Sequence, residues 1–110
     1  MARERIYICA PWRGKTAEER EKNEQRTATI WRWLYDHGYH PVAPQLLYGR
    51  YLNDDDPEER RFGMAAGKEE LLRCSEMWVF GEKFSEGMKD EMRFAYEHNI
   101  PYRFNPISNL

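Results

Sequence analysis

The chain has 110 residues, enough for one domain around one core, and its 17 Lys and Arg against 19 Asp and Glu leave a formal charge of -2. That balance argues against a dedicated duplex-DNA binder, whose phosphate contacts need a basic excess. No apolar stretch approaches the ~20 residues of a membrane helix and no signal segment is read at the start; Cys9 and Cys74 lack metal-ligand spacing and fit buried, reduced thiols in a cytoplasmic protein.

Arg5 to Ala10 is a short run of β-formers stopped by Pro11 and reads as a buried strand. Pro11 to Lys15 is a loop, after which Thr16 and Glu19 form a capping box that opens a helix running to Gly38. The first half of that helix is polar, and its apolar stripe is expected at Ala28, Trp31, Leu34 and Tyr35. His40 to Pro44 is a second strand whose prolines suit an edge. Gln45 to Pro57 has no clear period and is read as a long loop, the kind that carries function or moves. Pro57-Glu58-Glu59 suits the start of a second helix, carried to about Cys74. Met77 to Phe80 is a third strand ended by Gly81. A third helix opens at Ser85 or Glu86, with Met88, Met92 and Ala95 at helical spacing, and Tyr102 to Phe104 is a fourth strand before a polar tail.

Strands alternating with helices predict a single α/β domain over 1–110, a flavodoxin- or Rossmann-like three-layer sandwich. Its sheet should be four-stranded and parallel in the order 2-1-3-4. Right-handed connections then put the first helix on one face and the later two on the other. Ligands of such sheets bind beyond the carboxyl ends of the strands. Three segments converge there: Ala10 to Lys15, the loop after Pro44, and Gly81 to Glu91.

The last of these carries the most chemistry. Ser85, Gly87 and Met88 sit at a helix N-terminus, where free N–H groups and the helix dipole favour an anion, and Glu91 follows six residues after Ser85. Its carboxylate could serve as a nucleophile beside a clamped phosphate; equally, Ser85 could be a plain N-cap and Glu91 a solvated helix residue. Arg13 and Gly14 are placed for a phosphate or carboxylate clamp, against the plainer reading of a surface arginine. Tyr7 is either a core tyrosine or a hydroxyl reaching the site, and Trp12 is an aromatic face on which a base could stack. Asp54-Asp55-Asp56 lacks calcium-loop spacing and reads as solvated loop acid, with Asp54 the member carried forward as a substrate contact. No triad or metal site can be built from His37, His40 and His98.

Taken together, Ile6 to Gly14, Asn23, Pro41 to Pro44, Leu52-Asn53-Asp54, Pro57 to Arg60, Leu71 to Cys74, Trp78 to Gly81 and Ser85 to Met88 resemble a family of small bacterial and phage proteins described as nucleoside 2-deoxyribosyltransferase-like. The resemblance covers the chain from about Arg5 to Arg103. It implies cleavage of the N-glycosidic bond of a nucleoside or nucleotide, by hydrolysis or transfer, through a covalent glycosyl-enzyme. Glu91 would be the nucleophile with Tyr7 beside it, and Ser85, Gly87 and Arg13 would contact substrate. No cofactor or metal is implied.

The chain also departs from the pattern. The place of an additional aspartate falls near Gly67 and Lys68, Ser75-Glu76 stands where relatives have an aspartate before the third strand, and Gln45 stands where histidine is common. A retaining glycosidase normally uses two carboxyl groups. Two readings therefore stand side by side: an N-glycosidase or deoxyribosyltransferase whose acid comes from the segment Asp54 to Glu59 or from a neighbouring subunit, and a non-catalytic binder of a nucleotide-derived ligand such as an ADP-ribose-like signal. A homodimer or larger symmetric assembly is expected, with Asn105, Ser108 or Asn109 near the partner's site.

Overall fold

The computed structural model describes residues 2–108 and 110. In chain order the elements are β1 (Arg5–Cys9), α1 (Ala17–Asp36), β2 (His40–Val42), α2 (Gln45–Tyr51), α3 (Pro57–Leu72), β3 (Glu76–Val79), α4 (Glu86–Glu97) and β4 (Tyr102–Phe104). The four strands form one parallel sheet in the order β2-β1-β3-β4, as the alternating pattern predicts. Tyr7 lies opposite Val42 on one side and Met77 on the other, so β1 is flanked along its length. Pro41, which has no N–H to donate, sits on the edge strand.

Side chains along β1 alternate between two layers. Ile6, Ile8 and Ala10 join Ile30 and Leu34 of α1, with Trp78, Phe80 and Ile107, on one face. Tyr7 and Cys9 join Leu71 of α3 and Met88 and Ala95 of α4, with Met77 and Val79, on the other. The first helix therefore covers one side and the last two cover the opposite side. Among the described residues no helix is long and apolar enough to cross a membrane.

The caps follow local chemistry. Thr16 Oγ1 accepts from Glu19 N at 3.1 Å, while Glu19 turns its carboxylate to Lys15 N at 2.6 Å. Asp56 caps α3 by accepting from Glu58 N and Glu59 N, with Pro57 at the first helical position. Gly38, at φ 91°, and Asn99, at φ 58°, follow the ends of α1 and α4 in the left-handed region.

The structure differs from the sequence expectation in two places. The stretch after Pro44 is not all loop: Gln45–Tyr51 is a helix, giving four helices among the described residues rather than three. No residue of α2 is fully buried and no side chain caps it, so it carries no apolar period to read. Tertiary contacts hold it instead: Gln45 Nε2 donates to Ile8 O at 3.2 Å, and the Tyr48 ring meets Phe62 of α3 edge-on. The buried stripe of α1 is also rotated from the expected one. Thr27, Ile30 and Leu34 are buried and Trp31 is half-buried, whereas Ala28 is exposed and Tyr35 is 42% exposed. At the surface, the Tyr35 ring lies under the guanidinium of Arg3, 4.6 Å from its centroid.

Candidate active site

A cavity of about 700 Å³ opens beyond the carboxyl ends of the strands. Tyr7, Trp12, Arg13, Gly14, Asp54, Ser85, Gly87, Met88 and Glu91 all line it, so the residues singled out in sequence share one wall-to-wall space. Part of the wall comes from α2 and α3, through Tyr48, Gly49, Gly63, Gly67 and Lys68; the sequence places the segment after Pro44 at the site without singling out Tyr48 or Gly49, and it does not place Gly63 there at all.

Tyr7 and Glu91 form the floor. Because Tyr7 alternates away from Ile6 and Ile8, it faces α3 and α4, and its hydroxyl donates to Glu91 Oε2 in the second turn of α4. The fit requires a gap on α3: a Cβ on Gly67 would stand 3.2 Å from the Tyr7 hydroxyl. Burial pushes the Glu91 carboxyl up to about 7, against the downward pull of hydrogen bonding from Tyr7 and Cys9 and of the Lys68 charge; Asp90 adds to the rise. The Tyr7 hydroxyl is pushed well above its ordinary range by burial first and by Glu91 second. Glu91 thus exchanges between acid and carboxylate near neutral pH. Both cysteines are free and buried. Burial pushes the Cys9 thiol far up and the Cys74 thiol up to about 11, so neither is a reactive thiolate.

The rim is more neutral than the sequence suggests. Arg13 donates from Nη2 to Asp55 Oδ1 at 2.7 Å and its Nε pairs with Asp54 Oδ2 at 3.0 Å, and Asp54 also accepts from Arg60 Nη1 at 3.2 Å. The guanidinium expected to clamp an anion therefore already holds two carboxylates. These groups are partly solvent-exposed, so the network orders the loop more than it stabilises the fold, at about 1 kcal/mol or less per pair. Gly14, at φ 64°, leaves room for Glu19, whose Cβ would otherwise stand 2.7 Å from a Gly14 Cβ. The indole of Trp12 packs against Gly49 of α2 so closely that no Cβ fits there, which leaves less of its face for a base than an open loop would. Ser85 is the N-cap of α4, with Oγ accepting from Met88 N at 3.2 Å.

At the place where the resemblance puts an aspartate there is Gly67, followed by Lys68, whose Nζ lies 2.8 Å from Asp90 Oδ2. The sequence signal for this region is Gly63 and Gly67 one turn apart inside α3. Helix glycines cost about 1 kcal/mol each, so a pair on one face points to a close neighbour on that face. Asn105 is engaged within its own chain. Its side chain accepts from Gly81 N at 2.8 Å and donates to Gly81 O at 3.0 Å, fixing the turn after β3. Ser108 is exposed, and Asn109 lies outside the described residues. Among the described residues no group of three His, Cys, Asp or Glu side chains gathers in a way that would hold a metal ion.

Residues 4–105 match the model of a family described as a domain of unknown function, DUF7768. The chain belongs to that family. No curated protein matches it in sequence. Among solved structures, its fold is similar to that of a 2-deoxyribosyltransferase from the psychrotolerant bacterium Bacillus psychrosaccharolyticus, with a TM-score of 0.66 and 17% identity over 91% of this chain and 70% of that one. It is also similar to the CMP N-glycosidase BcmB of Clostridium botulinum, with a TM-score of 0.59 and 14% identity over 92% of this chain and 70% of that one. At these identities the likeness is one of fold. The resemblance read from the sequence holds at that level, and the family itself carries no assigned activity.

Proposed function

We propose that this protein cleaves the N-glycosidic bond of a nucleoside or nucleotide, with Glu91 as the nucleophile. The observation that carries the reading is the pairing of a partly buried, near-neutral carboxyl with a single hydroxyl donor at the floor of a cavity large enough for a nucleotide. Tyr7 occupies Oε2 and turns the other oxygen of Glu91 toward the anomeric carbon. Attack there releases the base and leaves a glycosyl ester, which water or a second base resolves. The likeness in fold to a 2-deoxyribosyltransferase and a CMP N-glycosidase supports the substrate class.

The test is incubation with nucleosides, deoxynucleotides and NAD, read by chromatography for free base. Wild type should release base, and Glu91→Gln should lower the rate by on the order of 1,000-fold or more while leaving affinity within a few-fold. Mass spectrometry should find a glycosyl adduct on the peptide that contains Glu91. An active wild type with an equally active Gln variant would remove Glu91 from the mechanism.

A second reading, a binder without turnover, is favoured by one observation: Arg13 and Arg60 already hold Asp54 and Asp55, and Asp56 caps a helix, so the acidic loop offers no evident proton donor. Ligand affinity without base release from any compound would select it.

A further inference from the structure

Tyr7 is only 2% exposed, yet the hydrogen bonding of its hydroxyl is half complete. Its one proton goes to Glu91 Oε2, and among the described residues that is the only hydrogen bond at this oxygen. A phenolic oxygen also accepts, so an open acceptor remains on a buried side chain that lines the cavity. Beside it stands Gly67 of α3, which lines the same cavity. A Cβ on Gly67 would stand 3.2 Å from the Tyr7 hydroxyl, closer than a carbon and an oxygen ordinarily pack, and nothing else from outside α3 lies within 4 Å of that point. Glycine in a helix interior costs about 1 kcal/mol relative to alanine. Here it keeps a space beside an open acceptor.

The group that fits is a small donor close to the reacting carbon. In attack, the free oxygen of Glu91 stands about 3 Å from the anomeric carbon, and Tyr7 is bonded to the other oxygen of the same carboxylate. The Tyr7 oxygen is then within reach of a substituent on the adjacent carbon, C2, where hydrogen bonds to a hydroxyl strengthen in glycosidic transition states. Resting on the glycosidic reading above, we infer that Gly67 is a specificity-determining residue whose bare Cα admits the 2-hydroxyl of a ribosyl substrate. That hydroxyl donates to Tyr7, so the substrate is a ribonucleoside or ribonucleotide and not its 2-deoxy counterpart. A 2-deoxy sugar leaves the buried acceptor unpaired, and a site built to hydrogen-bond a substrate hydroxyl rejects the analogue that lacks it. The sugar by itself runs the other way, because an electron-withdrawing 2-hydroxyl slows departure of the base. A ribosyl preference therefore has to come from the protein.

The experiment uses the full chain with matched sugars: adenosine, guanosine, cytidine, uridine and their 5′-monophosphates against the 2′-deoxy forms. Release of base is read as kcat/KM after the rate with Glu91→Gln is subtracted for each compound. The ribosyl member should be preferred at least tenfold. Gly67→Ala fills the space and Tyr7→Phe removes the acceptor, so each should lower the ratio of ribosyl to 2-deoxyribosyl kcat/KM at least tenfold. Should the alanine variant not fold, Tyr7→Phe decides alone. A wild-type ratio below ten, or a ratio that falls by less than tenfold in a folded variant, would overturn this inference and leave the glycosidic reading intact. Absence of Glu91-dependent release from every compound would overturn both.

Discussion

The two faces of the sheet are built from the same strands and do opposite things. On the α1 face, Ile6, Ile8, Ile30, Leu34, Trp78 and Phe80 make an apolar layer whose contribution is packing alone. On the α3/α4 face, the same alternation places Tyr7 and Cys9 among apolar neighbours but leads to Glu91, with Lys68 and Asp90 close by. A residue shifted by one along β1 thus passes from a purely hydrophobic layer to a hydrogen bond with Glu91. One face can supply stability while the other carries a carboxyl that is costly to ionise.

The sharpest way to break this division is to damage the packing face and look for an effect on the other. Ile8 is fully buried, and Ile8→Ala should cost about 2–5 kcal/mol in urea unfolding. If the faces are separate, the pH at which Glu91 titrates stays where it was; a shift there would show that α1 packing tunes the site.

A smaller effect of opposite sign is expected at Glu91. Its folded pKa, about 7, lies above the ordinary 4.5, so between those values the folded chain holds a proton that the unfolded chain releases. Stability therefore falls as pH rises through that window, and the loss is complete above about 7. The whole shift would correspond to about 3 kcal/mol; water in the open cavity reduces this to about 1–2 kcal/mol. Glu91→Gln should accordingly stabilise the protein at pH 8 by about that amount and have little effect at pH 4. Thermal melts at the two pH values measure it, and equal effects at both would mean that ionisation is not what burdens this face.

The smallest change sharpens the picture without disturbing either layer. Tyr7→Phe removes the hydrogen bond that holds the Glu91 carboxyl down, while Asp90 of α4, Lys68 of α3 and the buried Cys9 of β1 remain. The acid limb of the rate against pH should lie near 7 in the wild type and move to higher pH in the variant. An unmoved limb would assign the titration to another group.

The sequence by itself determined what depends on neighbours along the chain. The strand runs, the caps at Thr16 and Ser85, Pro57 at a helix start and the order 2-1-3-4 all follow from periodicity, local hydrogen bonding and chain handedness. Ser85, Gly87, Met88 and Glu91 share one helix and its cap, so their convergence was legible too. The tertiary structure decided what depends on approach in space. Leu34 was legible as core, and Trp31 packs against it, yet only the docking angle of α1 chose Thr27 and Ile30 over Ala28 and Tyr35. The helix α2 has no buried residue to mark it and exists because β1, Trp12 and α3 hold it. Arg13 was legible as a clamp for an anion, but its occupation by Asp54 and Asp55 was not, nor was the partnership of Lys68 with Asp90. Charges on separate segments pair according to a distance that no local pattern encodes, because Coulomb attraction acts through the folded geometry and not through sequence separation.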